Sequence, residues 1–316
     1  MTTRRRFLKS ALVTAAGAAG LSRLAEGSDK AGKTVDRRPL GRIRTPVSIL
    51  GLGLGSAFTR PWGEQPEDAH ALLNLALDHG VNYWDTARGY GPSEQLIGPV
   101  VEKRRDEIFL VTKSAGRDYD SFMRDVEASL KQLRTDRIDL LHIWNLPRDA
   151  DLDRIEKGAL KAVHRLKDEN VIGHFGISGH SGAAILMDAT RRFDPDAVLA
   201  VFPCTRDDDG RYEDELLPLA RKREMGVIAM KMVRRARNAD LKGSDLIRYA
   251  LGLNGVHCGI VGLDTEAHLR ENIAMATGFR PLTPEENASL RHRAAEALVH
   301  IPTPWERPGY RDGHPA

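Results

Sequence analysis

The chain has 316 residues, a formal net charge of +3 and only two cysteines, Cys204 and Cys258, too few for a disulfide framework or an all-cysteine iron–sulfur site. The positive excess is local: residues 1–27 hold Arg4, Arg5, Arg6, Lys9 and Arg23 against Glu26 alone. The remaining 42 basic and 43 acidic residues nearly cancel, which leaves no basic field for nucleic acid.

The first feature in chain order is an address. Residues 3–9, Thr-Arg-Arg-Arg-Phe-Leu-Lys, precede a small-residue apolar run at 11–21. A basic region followed by a short apolar region reads as a signal peptide. The paired arginines with Phe-Leu-Lys resemble a bacterial twin-arginine export signal. The apolar run is too short to span a bilayer comfortably, so no stable membrane span is expected. Residues 1–27 are thus expected to engage the twin-arginine export machinery and to send the protein to the periplasm or another exported location. Ala25-Glu26-Gly27 is the nearest small-x-small triplet for cleavage.

Beyond it, apolar runs of strand length alternate with helical patterns, as in successive βα units. Residues 47–52 read as a strand. Residues 66–79 read as a helix, with Ala69, Leu72, Leu73, Ala76 and Leu77 on one face. Strands at 82–86, 108–112 and 138–144 follow, separated by helices near 93–104 and 121–133. Strands at 175–178, 197–202, 227–231 and 259–263 bring the number to eight. Helices near 153–169, 181–192, 213–224, 244–253 and 266–276 separate them. The pattern predicts an α/β fold, a closed (β/α)8 TIM barrel over residues 37–300, rather than an open sheet. Residues 284–298 read as an added helix. Residues 301–316, rich in proline, glycine and charge, read as an irregular tail. The two cysteines fall in apolar runs and are expected to be buried thiols. His164, His174, His180 and His257 show no metal-ligand spacing, and no metal site is expected.

Asp85 and Tyr90 sit in WDTARGYG (84–91) and Lys113 in FLVTKS (109–114), each at the end of a strand-like run. In a parallel barrel such positions face the mouth where chemistry is done. A tyrosine gives a proton to a forming alkoxide only when its phenolate is stabilised. A nearby lysine cation does this, and an aspartate keeps that lysine charged and in place. GLGLGS (51–56) lacks the GxGxxG spacing of a dinucleotide loop, and Pro61 and Trp62 follow in place of a helix start. It reads as the first barrel strand and its exit.

WDTARGYGPSEQLIG followed by VTKS resembles the aldo-keto reductases. The likeness runs from about residue 37 to 276 and includes IDLLHIW (138–144), GHFGIS (173–178), GVIAMK (226–231) and IVGLDTEAHLREN (260–272). The resemblance implies hydride transfer from NADPH or NADH to a small-molecule carbonyl, whether aldehyde, ketone or sugar-like. Tyr90 would be the proton donor, with Asp85 and Lys113 tuning it. The other reading is a barrel that has kept the fold and binds a ligand or partner without catalysis.

Several positions depart from the family pattern. The catalytic histidine is usual five residues after the fourth-strand aspartate, which is Asp139 here, and that position is Trp144. His142 lies two residues earlier, about 6.6 Å deeper on the same strand face. Either a bulge carries His142 outward to complete the site, or it is a core histidine and Trp144 walls the substrate pocket together with Trp62 and Phe58. On the cofactor side the resemblance implies contacts from Gly53, Ser178, Met230 and Lys231. Those from the last loop would be Gly262, Leu263, His268 and Asn272. Gly179, Leu199 and Met230 replace the usual asparagine, glutamine and stacking aromatic. Gly262 and His268 replace the usual 2′-phosphate ligands, so NADPH preference is weakened and NADH is admitted. His180, just after Ser178, is a candidate to approach the mouth and replace a missing polar group.

Overall fold

A computed structural model describes residues 34–206, 210–233 and 241–298. The export address at 1–27 and the tail at 301–316 lie outside the described residues.

Ten strands are present among the described residues. β1 (Arg37–Pro39) and β2 (Pro46–Ser48) form an antiparallel hairpin. The other eight are β3 (Leu50–Gly53), β4 (Tyr83–Asp85), β5 (Phe109–Ser114), β6 (Ile138–Ile143), β7 (Ile172–Ser178), β8 (Ala197–Val201), β9 (Gly226–Met230) and β10 (Cys258–Gly262). They close into a parallel barrel in sequence order, with β10 pairing back onto β3. Both faces of such strands are covered, one by the barrel interior and one by helices, which explains their nearly continuous apolar runs. β5 and β8 are buried throughout.

The helices supply the outer layer. α1 (Ser56–Trp62) and α2 (Pro66–Asp78) lie between β3 and β4, and α3 (Ser93–Arg104) follows β4. α4 (Tyr119–Leu133) follows β5. It opens on Asp118, whose carboxylate accepts from the Ser121 amide at 2.9 Å, and buries Phe122, Val126, Ser129 and Leu133 at helical spacing. α5 (Leu152–Lys157) and α6 (Ala159–Asp168) follow β6, and α7 (Ala183–Phe193) follows β7. α8 (Leu217–Lys222), α9 (Gly243–Gly252), α10 (Glu266–Ala276) and the added α11 (Pro284–Leu298) complete the set. Among the described residues no helix is long and apolar enough to cross a membrane. Cys204 and Cys258 are both buried free thiols.

Four details differ from the pattern reading. The run at 47–52 is two strands, because β2 turns away to pair with β1. That hairpin covers the N-terminal end of the barrel: Leu40 and Val47 are fully buried, and a Cβ on Gly41 (φ 48°) would lie 2.4 Å from the Gly226 nitrogen. A helix, α1, does begin right after GLGLG; it buries Phe58 completely, so Phe58 is a core residue and not a pocket wall. The helix expected at 153–169 breaks at Gly158, where a Cβ would stand 2.4 Å from the Arg117 carbonyl oxygen. The helix expected at 213–224 opens with a π-helical turn, Tyr212–Leu216.

Candidate active site

At the C-terminal end of the barrel Lys113 is 1% exposed. A buried cation is tolerable only when paired and hydrogen-bonded. Its Nζ donates to Asp85 Oδ1 at 2.5 Å and to the Thr86 carbonyl at 2.7 Å, and it reaches Tyr90 Oη at 3.4 Å. It also stands 4.7 Å from the centroid of the Tyr90 ring. Asp85 is the last residue of β4, and Lys113 lies on the neighbouring β5. Tyr90 comes from the loop that follows, so three separate backbone positions converge on one ammonium group.

That loop is tied down by a buried polar network. The Thr86 and Arg88 amides donate to the carbonyls of Val111 and Lys113, extending the sheet pairing past β4. Ser93 Oγ donates to the Leu54 carbonyl at 2.6 Å and meets Thr86 Oγ1 at 2.8 Å. Glu94, fully buried in the first turn of α3, accepts from Arg88 Nη1 at 2.9 Å and from Thr112 Oγ1 at 2.7 Å. The Glu94 carboxylate thus links the Tyr90 loop to the strand that carries Lys113. The expectations from sequence missed Arg88, Ser93, Glu94 and Thr112. The available signal was the Ser-Glu pair inside the motif itself, because a carboxylate at a helix start next to an arginine invites pairing.

The strand register decides between the two fates of His142. Lys113 pairs with His142, and His142 with Gly176, with no extra residue in β6. The bulge that would carry His142 outward is not there. The ring is 0% exposed and occupies the space above Gly176, where a Cβ would lie 2.6 Å from ring atoms. Burial first, and then the Lys113 charge, push the imidazolium down to about 3, against a small opposing contact with the Ile177 backbone. His142 is therefore a neutral interior residue beside Lys113 and not a group at the mouth. Trp144 is at the mouth. Its amide donates to the Ser114 carbonyl, its carbonyl accepts from Arg117, and its indole meets the Tyr90 ring edge-on, with centroids 5.4 Å apart. A Cβ on Gly89 would lie 2.2 Å from Trp144 Cζ3, so the loop passes directly against the indole.

Lys113, Trp144, Ser178 and Met230 line one narrow crevice, with Asn145, Gly179, His180 and Leu199. Ser178 Oγ accepts from the Asn145 amide at 3.1 Å, which leaves its own O–H free to donate. Lys231 follows Met230 at the end of β9 in the left-handed region, φ 62°. The remaining expected contacts gather around the ends of β3 and β10. Gly53 pairs with Asp85 on one side and Gly262 on the other. A Cβ on Gly262 would meet Ala57 Cβ at 2.5 Å, so α1 lies close over this edge. Trp62 Nε1 donates to the carbonyl of the buried Leu263 at 2.9 Å. Trp62 is thus tied to the last loop. Thr265 caps α10 by accepting from the His268 amide, and the His268 ring contacts Asp264 at 2.8 Å. Asn272 lies half-buried further along α10. Arg270 pairs with Glu266 on the exposed surface. Among the described residues no group of three or more His, Cys, Asp and Glu is placed to hold a metal ion.

A closed parallel barrel with a buried lysine–aspartate pair under a tyrosine hydroxyl defines a class of proton-donating site. The family model described as "Aldo/keto reductase family" matches residues 49–245, more than half of the chain. The chain belongs to the aldo/keto reductase family. A Pseudomonas aeruginosa structure classed with the aldo-keto reductases is 30% identical, with TM-score 0.66, covering 78% of this chain and 98% of that one. The uncharacterized oxidoreductase YqkF of Bacillus subtilis is 28% identical over 61% of this chain, and the chain spans 63% of its length. An aldo/keto reductase from Klebsiella pneumoniae, solved in complex with NADP and acetate, shares the fold at 23% identity and TM-score 0.67, over 82% of this chain and 94% of that one.

Proposed function

We propose that this chain is an NAD(P)H-dependent oxidoreductase that reduces a small carbonyl compound, an aldehyde, ketone or sugar-like molecule, with Tyr90 as the proton donor. One observation carries the reading: a fully buried Lys113, held by Asp85 at 2.5 Å, reaches the Tyr90 hydroxyl at the barrel mouth. A nicotinamide suits the donor set beside it. The Ser178 hydroxyl is free to bond an amide, and Leu199 and Met230 offer apolar surface to a flat ring. Bound NADP in the Klebsiella neighbour supports the same cofactor class. When bound, the reduced cofactor supplies the hydride. Tyr90 gives its proton to the carbonyl oxygen, Lys113 stabilises the phenolate left behind, and Asp85 keeps the lysine oriented. Trp144 and Tyr90 shape the wall against which the substrate rests. Gly53, Lys231, Gly262, Leu263, His268 and Asn272 would hold the rest of the cofactor.

Turnover of 4-nitrobenzaldehyde and of simple aldoses with NADPH and NADH tests the reading. Tyr90→Phe keeps the ring and removes the acid, so reduction should fall by about 10²–10⁴-fold while cofactor binding is unchanged. Wild-type turnover that survives Tyr90→Phe intact refutes the mechanism. Binding of neither cofactor favours the non-catalytic barrel instead.

Export through the twin-arginine machinery to the periplasm belongs to the same reading, supported by Arg4, Arg5, Phe7, Leu8 and Lys9 ahead of a short apolar run. Replacing Arg4 and Arg5 by lysine should retain the protein in the cytoplasm; undiminished export of that variant counts against it.

A further inference from the structure

The exit of β6 sets two groups of the proposed site, and the backbone amides and carbonyls of Trp144 and Asn145 all have partners there. The Trp144 amide donates to the Ser114 carbonyl of β5 at 2.8 Å. The Asn145 amide donates to Ser178 Oγ at 3.1 Å, and the Leu146 amide to the Ser178 carbonyl at 2.8 Å, both toward β7. The carbonyls of Trp144 and Asn145 accept from a single atom, Arg117 Nη2, at 2.8 and 3.2 Å. Successive carbonyls of an extended strand point in opposite directions and cannot converge on one donor. Asn145 makes the convergence possible by leaving the strand: its φ is 54°, a left-handed conformation that asparagine tolerates better than most L-residues.

We propose that Arg117 is a positioning residue of this site: its guanidinium fixes the turn at the β6 exit, and so sets the Trp144 indole against Tyr90 and the Asn145 amide on Ser178; this rests on the oxidoreductase reading above. Among the described residues no carboxylate neutralises that guanidinium. Its Nη1 is sealed from solvent without a hydrogen-bond partner, and burial, then the charge of Arg154, push its pKa down. A buried cation in that state costs stability, so what it supplies is the geometry of the turn. Arg117 is itself anchored to a third element. Its carbonyl accepts from the Ala159 amide at 3.1 Å, and a Cβ on Gly158 would lie 2.4 Å from the same oxygen, which ties the exits of β5 and β6 to the start of α6. The turn reaches the crevice twice. The Trp144 indole meets the Tyr90 ring edge-on with centroids 5.4 Å apart, so a shift of the turn moves the surface against which the proton donor rests. The Asn145 amide occupies a lone pair of Ser178 Oγ, and thereby orients the hydroxyl that would bond a nicotinamide amide.

Arg38 supplies the comparison. It is half-buried like Arg117, its Nη1 donates to the carbonyls of Leu251 and Val256 at 3.0 and 2.7 Å, and burial lowers its pKa, but it lies on β1 at the opposite end of the barrel. Wild type, Arg117→Ala, Arg117→Lys and Arg38→Ala, labelled with 5-fluorotryptophan, are compared by fluorine NMR, thermal melting, NADPH titration and reduction of 4-nitrobenzaldehyde. The Trp144 resonance is identified by its absence from Trp144→Phe. Arg117→Ala should displace or broaden that resonance and lower kcat per folded molecule by about 10–100-fold, the cost of a misplacement on the order of 1 Å. It should also weaken NADPH binding by about fivefold, as Ser178 loses its orientation. Arg117→Lys keeps a donor for these carbonyls and should recover part of each loss. Arg38→Ala should lower the melting temperature but leave the Trp144 resonance in place, with kcat and cofactor Kd within about twofold of wild type. The proposal is overturned if the Trp144 resonance of Arg117→Ala is unmoved, if its kcat stays within about twofold of wild type, or if Arg38→Ala reproduces the same losses. Should Arg117→Ala not fold, Arg117→Lys decides by the same readouts, with smaller losses expected and none overturning the proposal. Wild-type protein that reduces no aldehyde with either cofactor refutes the oxidoreductase reading, and the role of Arg117 in turnover with it. The resonance reads the turn without turnover, so the two failures are told apart.

Discussion

Acid should unfold this protein partly through a residue that takes no part in the proposed chemistry. Burial and the neighbouring Lys113 charge hold His142 at a pKa of about 3 in the folded chain, whereas an unfolded histidine titrates near 6.5. The folded pKa is the lower one, so the fold favours the neutral ring. That stability is fully present above about pH 6.5 and is lost as pH falls from there toward 3. Between pH 7 and pH 5 the unfolded chain takes up about three-quarters of a proton at this site and the folded chain takes up almost none. Integrated over that interval, the loss is about 2 kcal/mol. At pH 5 the native ring is still neutral, so the figure depends on the unfolded-state value alone. His142→Leu removes the titration and fills a similar volume with apolar atoms. Urea unfolding of both proteins at pH 7 and pH 5 isolates the effect, because His257, Asp196 and every other titrating group are common to both. The stability difference should move in favour of the leucine variant by about 2 kcal/mol on going from pH 7 to pH 5. Parallel pH dependences would mean that the native ring is protonated or solvated, and the interior placement of His142 would be wrong.

The Glu94 network should matter to both folding and turnover. Glu94→Ala leaves Arg88 and Thr112 without their buried acceptor and should cost about 1–3 kcal/mol by thermal or urea unfolding, with a fall in kcat at unchanged cofactor Kd. Glu94→Gln keeps an acceptor and should do less harm on both counts; equal damage from the two would argue that charge rather than loop anchoring is at stake. Cofactor choice should be shallow, because Gly262 and His268 stand where phosphate ligands are usual: fluorescence titration should give NADPH and NADH affinities within a thousandfold, or roughly 4 kcal/mol. Asp264→Asn should shift the ratio toward NADPH by on the order of tenfold, the worth of removing one carboxylate near a phosphate in partly solvated surroundings. No shift would show that the phosphate binds elsewhere.

The barrel was legible because its periodicities are simple. Eight apolar runs with helical patterns between them have few solutions, and the amphipathic α2 and α4 sit where their buried faces predict. What escaped was decided by contacts remote in sequence. The β1–β2 hairpin has strands of three residues, too short to show alternation, and exists because the barrel end it covers is apolar. The break at Gly158 follows from the approach of the Arg117 carbonyl, which no local pattern around 158 encodes. α1 was masked by Pro61 and Trp62, which read as helix-breaking or pocket-lining when taken one at a time. In the fold, Phe58 of the same helix enters the core and Trp62 bonds the last loop.

The site divides in the same way. Asp85, Tyr90 and Lys113 could be named from two short motifs because their chemistry demands those three residue types together, and the structure brings them into contact. The network behind them was not named, although Ser93 and Glu94 lie in the same motif, because an isolated serine or glutamate carries no chemistry until its partner is known. The fate of His142 hinged on a single question of register. Spacing from Asp139 left the imidazole either at the mouth or two residues inside, and side-chain alternation permits both, since the two positions share a face. Only pairing of Lys113 with His142 across β5 and β6 settles it. Once the imidazole is inside, the mouth presents an indole where an imidazole is usual in the family.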